Sequence, residues 1–276
     1  MYATDFKYDE KKLSDYNCII CDFDASSGAS FISLGAKISF HTQSINKGKK
    51  YSLLDTTYDD CLQCTFDICK NPDLYDGDAA ELTKTEYRAI ARWLNRREFL
   101  KLTFLGCNGN EGENPCYYDA SFNVSKIEIA GKVYGIRAEM TTNRPFGYGQ
   151  TKSTKLTFTQ SEYAETKSVD YTSDEIGFCY PDIDIKCNAS GTLSIKNLTA
   201  GCETQIKNCV EGETVTIKGN EMIISSSLQS HKTLCNDFNY TFPRLVNGLT
   251  STENEITASL PCEISIAYAP IIKEAP

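Results

Sequence analysis

The chain of 276 residues contains 28 Lys and Arg against 37 Asp and Glu, which gives a formal net charge of −9 at pH 7. With 41% apolar and 24% charged residues, its composition is that of a globular protein and excludes a disordered one. The length favours two domains of ordinary size over one large domain. The acidic balance excludes nucleic-acid binding over the whole surface and leaves only a local basic patch as an option, because phosphate neutralisation needs an excess of Lys and Arg.

The opening segment, MYATDFKYDEKKLSDYN, is polar and charged and lacks the apolar stretch of a signal peptide. No run of about 18 apolar residues is present, so no membrane-spanning helix is expected. We therefore expect a protein that is made and kept in a cytosol until something releases it, without association with a membrane.

In chain order, the first half predicts strands and one helix. The strand signals are runs that alternate between apolar and polar residues or are rich in residues with high β propensity, and they are bounded by Gly, Asn, Asp and Pro. Strands are predicted for residues 35–44, 61–69, 99–106, 116–129 and 131–143. The polar segment 107–115 between the third and fourth of these strands is predicted to be a hairpin tip.

The segment 82–99 changes to helical spacing, and its apolar stripe consists of Tyr87, Ile90, Ala91 and Leu94. Thr83 followed by Glu86 is a capping-box signature, which places the start of the helix. Arg96 and Arg97 suit the carboxyl end of the helix dipole. Trp93, the only tryptophan, lies off the centre of the stripe, so we expect it to pack against a sheet or a neighbouring subunit. Trp93, Arg96 and Arg97 are the predicted interface residues.

The segment 144–154 mixes proline, glycines and small polar residues, which predicts a boundary between domains 1–150 and 151–276. About eight strand signals follow at spacings of roughly 8 to 15 residues, a pattern typical of a jelly-roll β-sandwich. Their alternation predicts inward and outward residues. Leu193, Ile195, Val215 and Ile217 are predicted to face inward, and Ser194, Lys196, Thr214 and Thr216 outward.

The thirteen cysteines are an odd number and, without a secretion signal, indicate free thiols rather than a disulfide framework. Cys18/Cys21 and Cys61/Cys64, with Cys69 nearby, have the spacing of a zinc site, since four thiolates bind zinc tetrahedrally. Neither pair lies in a Gly-rich tight turn, and the second belongs to an alternating, strand-like run. Buried, unreactive thiols are therefore favoured, and structural zinc stays the alternative.

Residues for catalysis are sparse. His41 and His231, the only two histidines, have no obvious catalytic partner in the sequence. Asp73, Asp76 and Asp78 miss the ligand order of a calcium loop, and GYGQTKS misses the spacing of a phosphate-binding loop. No Gly-x-Ser-x-Gly elbow is present. We therefore predict no catalytic, cofactor-binding or metal-binding residue and no enzymatic activity.

Near the C-terminus, DFNYTFPRLVNG (237–248) is predicted to begin as a strand. Alternation places three aromatic residues on one face, where they would anchor the core: Phe238, Tyr240 and Phe242. Pro243 would end the strand pairing, and Asn247 with Gly248 supplies a turn. Arg244 is left without a packing role. The segment thus reads as structural rather than catalytic.

Four segments of the second half, YPDIDI (180–185), LSIKN (193–197), GETVTI (212–217) and NDFNYTFPRLVNG (236–248), resemble the distal tail protein family of long non-contractile-tailed bacteriophages, the siphophages. YRAIARWLN, YYDASFNVSKIEI and GIRAEMTTNRPFGYG in the first half resemble family segments in the same order. The family motif usually continues with an asparagine and an I-x-I strand, whereas here Leu249 and Thr250 follow. The residues that match the motif are Tyr180, Pro181, Asp182, Phe242, Pro243, Arg244, Leu245, Asn247 and Gly248.

The resemblance implies a mainly β protein. Its N-terminal domain would be a tail-tube-like β-barrel or sandwich with one α-helix, and its C-terminal domain a galectin-like jelly-roll sandwich. It implies a structural protein of the virion tail tip, assembled in the bacterial cytoplasm, that forms a homohexameric ring without a cofactor. The implied partners are the tail-tube protein, the tail-associated hub protein and a receptor-binding protein. DNA would pass through the ring without specific binding.

The acidic balance agrees with a DNA conduit, because six copies at −9 each carry −54 and a negative lumen would not retain phosphates. Two alternatives stay open. One is a component of a phage-derived bacteriocin tail. The other is a carbohydrate-binding module that uses an aromatic platform of Tyr180, Phe238, Tyr240 and Phe242.

Overall fold

The computed structural model of the protein describes residues 3–23, 37–45, 47–106, 115–231 and 234–273. The chain divides into two compact units, Gln150–Ile271 and Met1–Gly149 together with Ile272–Pro276. Along the chain the first break between the units follows Gly149, and the residues from Ile272 onward belong to the first unit. The predicted hairpin tip at 107–115 lies almost entirely outside the described residues.

Within the described residues, the first unit has ten strands and one α-helix, and it shares the closing strand β22 with the end of the second unit. Its strands are β1 (Asp5–Tyr8), β2 (Lys11–Lys12), β3 (Cys18–Cys21), β4 (Ile38–Ile45), β5 (Lys50–Tyr58), β6 (Gln63–Lys70), β7 (Leu100–Leu105), β8 (Tyr117–Ile129), β9 (Lys132–Thr142), β10 (Gly147–Tyr148) and β22 (Ile271–Ile272). The helix is α1 (Lys84–Leu94), and short 3₁₀ turns occupy Leu13–Tyr16 and Gly77–Ala80.

All of these strands except β4 and β5 form one large open sheet in the order β2-β1-β7-β8-β9-β6-β3, with β10 beside β8 and β22. The pairings whose register is defined are antiparallel, and β8 and β9 form its longest hairpin. The mainly β fold with one α-helix is as predicted, but the described strands do not close into the barrel that the prediction offered beside a sandwich. Strands β4 and β5 form a separate two-stranded sheet, the β4–β5 hairpin.

Helix α1 begins where the sequence predicts. Thr83 is the N-cap: its Oγ1 accepts from the Glu86 backbone N–H at 3.4 Å, and Glu86 Oε2 accepts from the Thr83 N–H at 2.7 Å. This reciprocal arrangement satisfies two of the otherwise unpaired donors of the first turn. Ile90, Trp93 and Leu94 are buried against the aromatic residues of the sheet, so packing as well as capping stabilises the helix.

As far as the structure describes it, the second unit contains eleven strands and one short helix. They are β11 (Lys152–Phe158), β12 (Thr166–Asp170), β13 (Gly177–Cys179), β14 (Asp182–Cys187), β15 (Gly191–Asn197), β16 (Cys202–Cys209), β17 (Thr214–Lys218), β18 (Ile223–Ser226), α2 (Leu234–Asp237), β19 (Leu245–Asn247), β20 (Glu253–Ala258) and β21 (Cys262–Tyr268).

The second unit is a β-sandwich. One sheet has the order β11-β21-β14-β17-β18, the other β12-β20-β15-β16, and β13 pairs with β19 in a short third sheet. The four residues predicted to face inward are all in its core: Leu193, Ile195, Val215 and Ile217. Ser194 was predicted to face outward and is instead buried, because its hydroxyl donates to the Glu203 carboxylate and its backbone N–H donates to Ser259 Oγ at 2.7 Å.

The prediction of a strand at the start of the segment 237–248 is wrong. Helix α2 ends at Asp237, and Phe238 makes only an isolated bridge to Ile206. Tyr240 has φ +57°, which lies outside the extended conformation on which the alternation depends. Phe238 is therefore buried and Phe242 half-buried, whereas Tyr240 is 69% exposed and does not anchor the core.

Candidate assembly surface and candidate ligand cavity

The two parts of the sequence motif, residues 180–182 and 242–248, lie side by side in the second unit. Strand β13 leads into the first part and pairs antiparallel with β19 in the second, with Cys179 opposite Leu245. Pro181, Pro243 and Leu245 are buried and pack beside each other around a small core cavity. The fold thus brings together motif residues that are some sixty positions apart in sequence.

Two buried asparagines hold the motif backbone. Asn197 Nδ2 donates to the Arg244 carbonyl at 2.8 Å and to Asn254 Oδ1 at 2.9 Å. Asn254, which is fully buried, accepts from the Val246 N–H at 2.8 Å and donates to the Val246 carbonyl at 2.9 Å. Strand β19 pairs with β13 on one side only, and the side-chain amides supply partners for backbone groups that this pairing leaves over.

Further motif residues have structural partners as well. Asp182 accepts from Lys218 Nζ at 2.9 Å and from the Gly219 N–H at 3.1 Å. A Cβ at position 219 would lie 2.2 Å from the Tyr180 carbonyl oxygen, so only glycine allows this approach. Asn247 Nδ2 donates to the Ser173 carbonyl at 2.6 Å, and the Gly248 N–H closes a turn onto the Ser251 carbonyl at 3.0 Å.

Arg244 now has a defined environment. Its Nη2 donates to the Ala200 carbonyl at 3.0 Å, and the guanidinium carbon lies 4.9 Å from the centre of the Phe178 ring. That distance is within cation–π range. Its Nε is buried and has no hydrogen-bond partner within the part of the chain that the structure describes.

Beside Arg244 lies an open cavity of about 570 Å³, the Tyr240 cavity. Its wall includes Tyr180, Glu203, Tyr240, Phe242 and Arg244. Three of the four residues of the predicted aromatic platform therefore meet here, whereas Phe238 lies in the core behind Phe242, with ring centres 5.0 Å apart. Glu203 was not predicted, since no sequence signal links it to the motif.

The β4–β5 hairpin presents a different surface. It pairs with no other described strand, and its larger apolar side chains are exposed: Ile38, Phe40, Ile45, Tyr51, Leu53 and Leu54. Phe40 is 66% and Leu54 64% exposed. At the base of the hairpin, Tyr58 packs edge-on against Phe146 at 5.8 Å. Alternation predicted a strand at 35–44 but gave no sign that its apolar residues would lack a covering layer.

The three predicted interface residues lie in different environments. Trp93 is buried inside the first unit, stacked on Phe6 and Tyr16, and its Nε1 donates to the Tyr8 carbonyl at 3.0 Å. The indole is thus part of the core of the first unit. Arg96 and Arg97 lie beyond the end of α1, where Arg97 is exposed. Arg96 is half-exposed and 3.5 Å from Glu98.

The two histidines have different roles in the structure. His41 lies on the exposed hairpin, 2.9 Å from Thr57 Oγ1. His231 is buried, with Nδ1 2.6 Å from Glu213 Oε1 and Nε2 3.2 Å from Asp237 Oδ2. Burial opposes the imidazolium, but Glu213 and Asp237 outweigh it and raise the pKa of His231. Because its two ring nitrogens contact Glu213 and Asp237, His231 links the end of α2 to the sandwich.

The predicted cysteine pairs are not gathered at one point. Cys18 and Cys21 both lie on strand β3, where residues three apart point to opposite faces. Burial raises the pKa of Cys18 to about 12, which keeps it a thiol. Within the described ranges, no group of three or more His, Cys, Asp or Glu side chains is placed to hold a metal ion. Among the same residues, no helix has the length and apolar character that crossing a membrane needs.

Comparison with known proteins gives matches along most of the chain. Residues 1–144 match the family profile described as a phage tail protein N-terminal domain, and residues 146–268 match the phage tail C-terminal domain. The crystal structure of SPP1 Dit (gp 19.1), described as a paradigm of the hub adsorption apparatus in phages that infect Gram-positive bacteria, has the same fold. The TM-score is 0.63 at 13% identity, with 96% of this chain and 98% of that chain covered. No curated protein matches the chain.

Proposed function

The chain belongs to the phage tail protein family, and from this premise we propose that it is the structural distal tail protein of a long non-contractile-tailed phage or prophage. It would form a homohexameric ring at the tail tip, without catalytic activity. The ring would join the tail-tube protein to the tail-associated hub protein and the receptor-binding protein. It would assemble in the bacterial cytoplasm.

The observation that carries this proposal is the extent of the likeness to SPP1 Dit. It covers 96% of this chain and 98% of the other, so both units occur in the same order without a large insertion. A protein that only shared a β-sandwich with the hub would match over one unit. The likeness therefore favours the role of a whole hub subunit over that of an isolated carbohydrate-binding module.

The β4–β5 hairpin supports assembly into a ring. A two-stranded hairpin is at best marginally stable alone in water, and exposed apolar patches of this kind mark interaction sites. Phe40 and Leu54 would gain burial if the hairpin packed on an adjacent copy. Such a contact joins two different surfaces, and repeated contacts of this kind close into a ring when their rotation allows it.

The negative charge supports a passage for DNA. At −9 for each copy, a hexamer carries −54, and a negative channel wall would repel phosphates rather than bind them. A high-resolution structure of the ring tests this part of the proposal. We expect Asp, Glu and neutral residues on the channel wall, and a wall lined with Lys and Arg would contradict it.

Negative-stain electron microscopy and native mass spectrometry of the purified protein test the ring itself. The protein is imaged alone and mixed with the tail-tube protein of the same phage, since the tube end is the expected partner. We expect particles with six-fold symmetry and the mass of six chains. Monomers in both samples, or rings of another symmetry, would contradict the hexamer.

A further inference from the structure

The β4–β5 hairpin has one apolar face and one polar face. Ile38 and Phe40 of β4 share a face, because side chains two positions apart in a strand point the same way. The bulge at Leu54 shifts the register of β5, so that Tyr51 and Leu53 lie on that same face. All of these side chains are exposed. A partner of the hairpin must therefore offer some apolar surface.

The end of the hairpin is basic. Lys47, Lys49 and Lys50 lie within four positions where the chain turns from β4 into β5, and all three are exposed. Among the described residues, none of the three has an ion-pair partner. This group, the lysine tip, is a local basic patch on a chain with a net charge of −9. The phosphates of DNA would match the lysine tip but would leave the apolar face uncovered, so an acidic protein surface fits the hairpin better.

Residues 72–77, the acidic loop, form such a surface on the same chain. Asp73 and Asp76 are exposed, and within the described residues their carboxylates have no ion-pair partner. Leu74 between them is 63% exposed and supplies an apolar contact. The loop is held in place, because the Leu74 N–H donates to the Asn71 carbonyl at 3.0 Å. A surface that is already ordered loses little conformational entropy on binding.

The hairpin and the acidic loop lie at opposite ends of strand β6. The hairpin precedes Gln63, the first residue of β6, and the acidic loop follows Lys70, its last. A strand of 8 residues spans about 25 Å, and β4 has the same number of residues, so the hairpin is about as long as that separation. Two different surfaces at opposite ends of a subunit join successive copies head to tail, and such contacts close into a ring.

We propose that the lysine tip of one copy binds the acidic loop of the next copy. The three lysines pair with Asp73 and Asp76, and Leu74 contacts the apolar face of the hairpin. Charges at an interface set register and partner choice more than affinity, which comes mainly from apolar burial. This inference rests on the proposed ring, and it names the surface that receives the hairpin.

Charge-reversal variants of the full chain test the contact. The tip variant carries Lys47→Glu, Lys49→Glu and Lys50→Glu, and the loop variant carries Asp73→Lys with Asp76→Lys. In either variant alone, the tip and the loop have charges of the same sign, so successive copies repel each other. In an equimolar mixture, each tip can meet a loop of opposite charge on the other variant. A ring of six accommodates this alternation because six is an even number.

Sedimentation velocity and native mass spectrometry at low ionic strength measure the association, since salt screens exposed charges. We expect each variant alone to self-associate at least about tenfold more weakly than the wild type. The mixture should form complexes that contain the two variants in equal number. A chain with all five substitutions should assemble like the wild type, because its tip and loop again have opposite charges.

Glu211→Lys with Glu221→Lys is the matched control for the loop variant. It makes the same change in charge at two exposed residues of the second unit and should self-associate like the wild type. Three Lys→Glu changes take the net charge from −9 to −15, and two Asp→Lys changes take it from −9 to −5. Both variants thus stay acidic, and overall attraction does not explain a complex between them.

A mixture that associates no better than either variant alone would overturn the contact and would leave the lysine tip to another partner, such as DNA phosphates. Self-association of either variant at wild-type strength would overturn it as well. Wild-type complexes of a size other than six that respond to these substitutions as expected would contradict the hexamer and support this contact. Monomers in every sample, the wild type included, would overturn both.

Discussion

The motif segment of the second unit and the β4–β5 hairpin of the first differ in whether their apolar side chains are buried. In the motif segment, Pro243 and Leu245 are buried and the backbone is held by Asn197 and Asn254. In the hairpin, β4 and β5 pair with each other except at a bulge that leaves Leu54 unmatched, while Phe40 and its apolar neighbours face solvent. The most recognisable sequence is thus inside the fold, whereas the best candidate for an assembly contact has no motif.

The largest effect on stability is expected at Asn254. The Asn254 side chain is fully buried. Asn254→Ala removes one hydrogen-bond partner of Asn197 Nδ2 and the side-chain partners of the Val246 N–H and carbonyl. Each buried polar group left unpaired costs about 1–3 kcal/mol, so we expect a loss of at least ~3 kcal/mol in the free energy of unfolding. Urea denaturation followed by circular dichroism measures it.

Asn220→Ala is the matched control, because Asn220 is exposed, and we expect a change within about 0.5 kcal/mol. If the two alanine variants unfold at the same urea concentration, the network around the motif does not hold the segment.

His231 is expected to give the next largest effect, and this effect depends on pH. His231→Asn leaves the buried carboxylate of Glu213 without its cation, a loss of about 3 kcal/mol near pH 6. The raised pKa of His231 means that its stabilisation is complete below its ordinary pKa of 6.5 and declines as the pH rises through the folded value. Thermal unfolding of the wild type and of His231→Asn measures this. The difference between their melting temperatures should become smaller as the pH rises from 6 to 9.

Glu213 gives stability a pH dependence of the opposite sign. Burial raises the pKa of Glu213, but hydrogen bonds from Ser226 and His231 outweigh that and lower it. Its contribution is thus present above its ordinary pKa of 4.5 and declines as the pH falls through the folded value. A stability difference that is constant from pH 6 to 9 would mean that folding does not raise the pKa of His231.

A smaller effect is expected at the helix cap in the first unit. Thr83→Ala removes the N-cap of α1 and should cost about 1 kcal/mol. Thr85→Ala, on the exposed side of the first turn, is the control and should leave stability unchanged or slightly higher, since alanine favours helix. Urea denaturation with tryptophan fluorescence reports this directly, because Trp93 lies on the same helix. Equal effects of the two substitutions would show that the capping box contributes little.

Local features could be predicted from the sequence because their causes lie within a few residues. The capping box of Thr83 and Glu86 and the alternation of Leu193 and Ile195 are examples. The path of residues 237–248 could not be predicted, because it depends on His231 and on the left-handed Tyr240. Ser194 is buried where its hydroxyl meets Glu203 on the neighbouring strand β16, and the Tyr240 cavity brings together residues as far apart in sequence as Tyr180 and Arg244. Alternation along one strand reports neither contact.

The smallest effect on stability is expected at the hairpin. Phe40→Ser with Leu54→Ser replaces two exposed apolar side chains, so the free energy of unfolding of the monomer should change by less than about 1 kcal/mol. If the hairpin forms the contact between copies, the same double variant should nevertheless assemble poorly. The contrast with Asn254→Ala is then complete, since one change affects folding and the other assembly.

Electron microscopy of this double variant beside the wild type and Leu249→Ser tests the central claim most directly. Leu249 is 86% exposed in the second unit and outside the hairpin. We predict six-fold rings for the wild type and for Leu249→Ser, and folded monomers for Phe40→Ser with Leu54→Ser under the same conditions. Six-fold rings of the double variant in wild-type yield would contradict the claim that the β4–β5 hairpin joins the subunits.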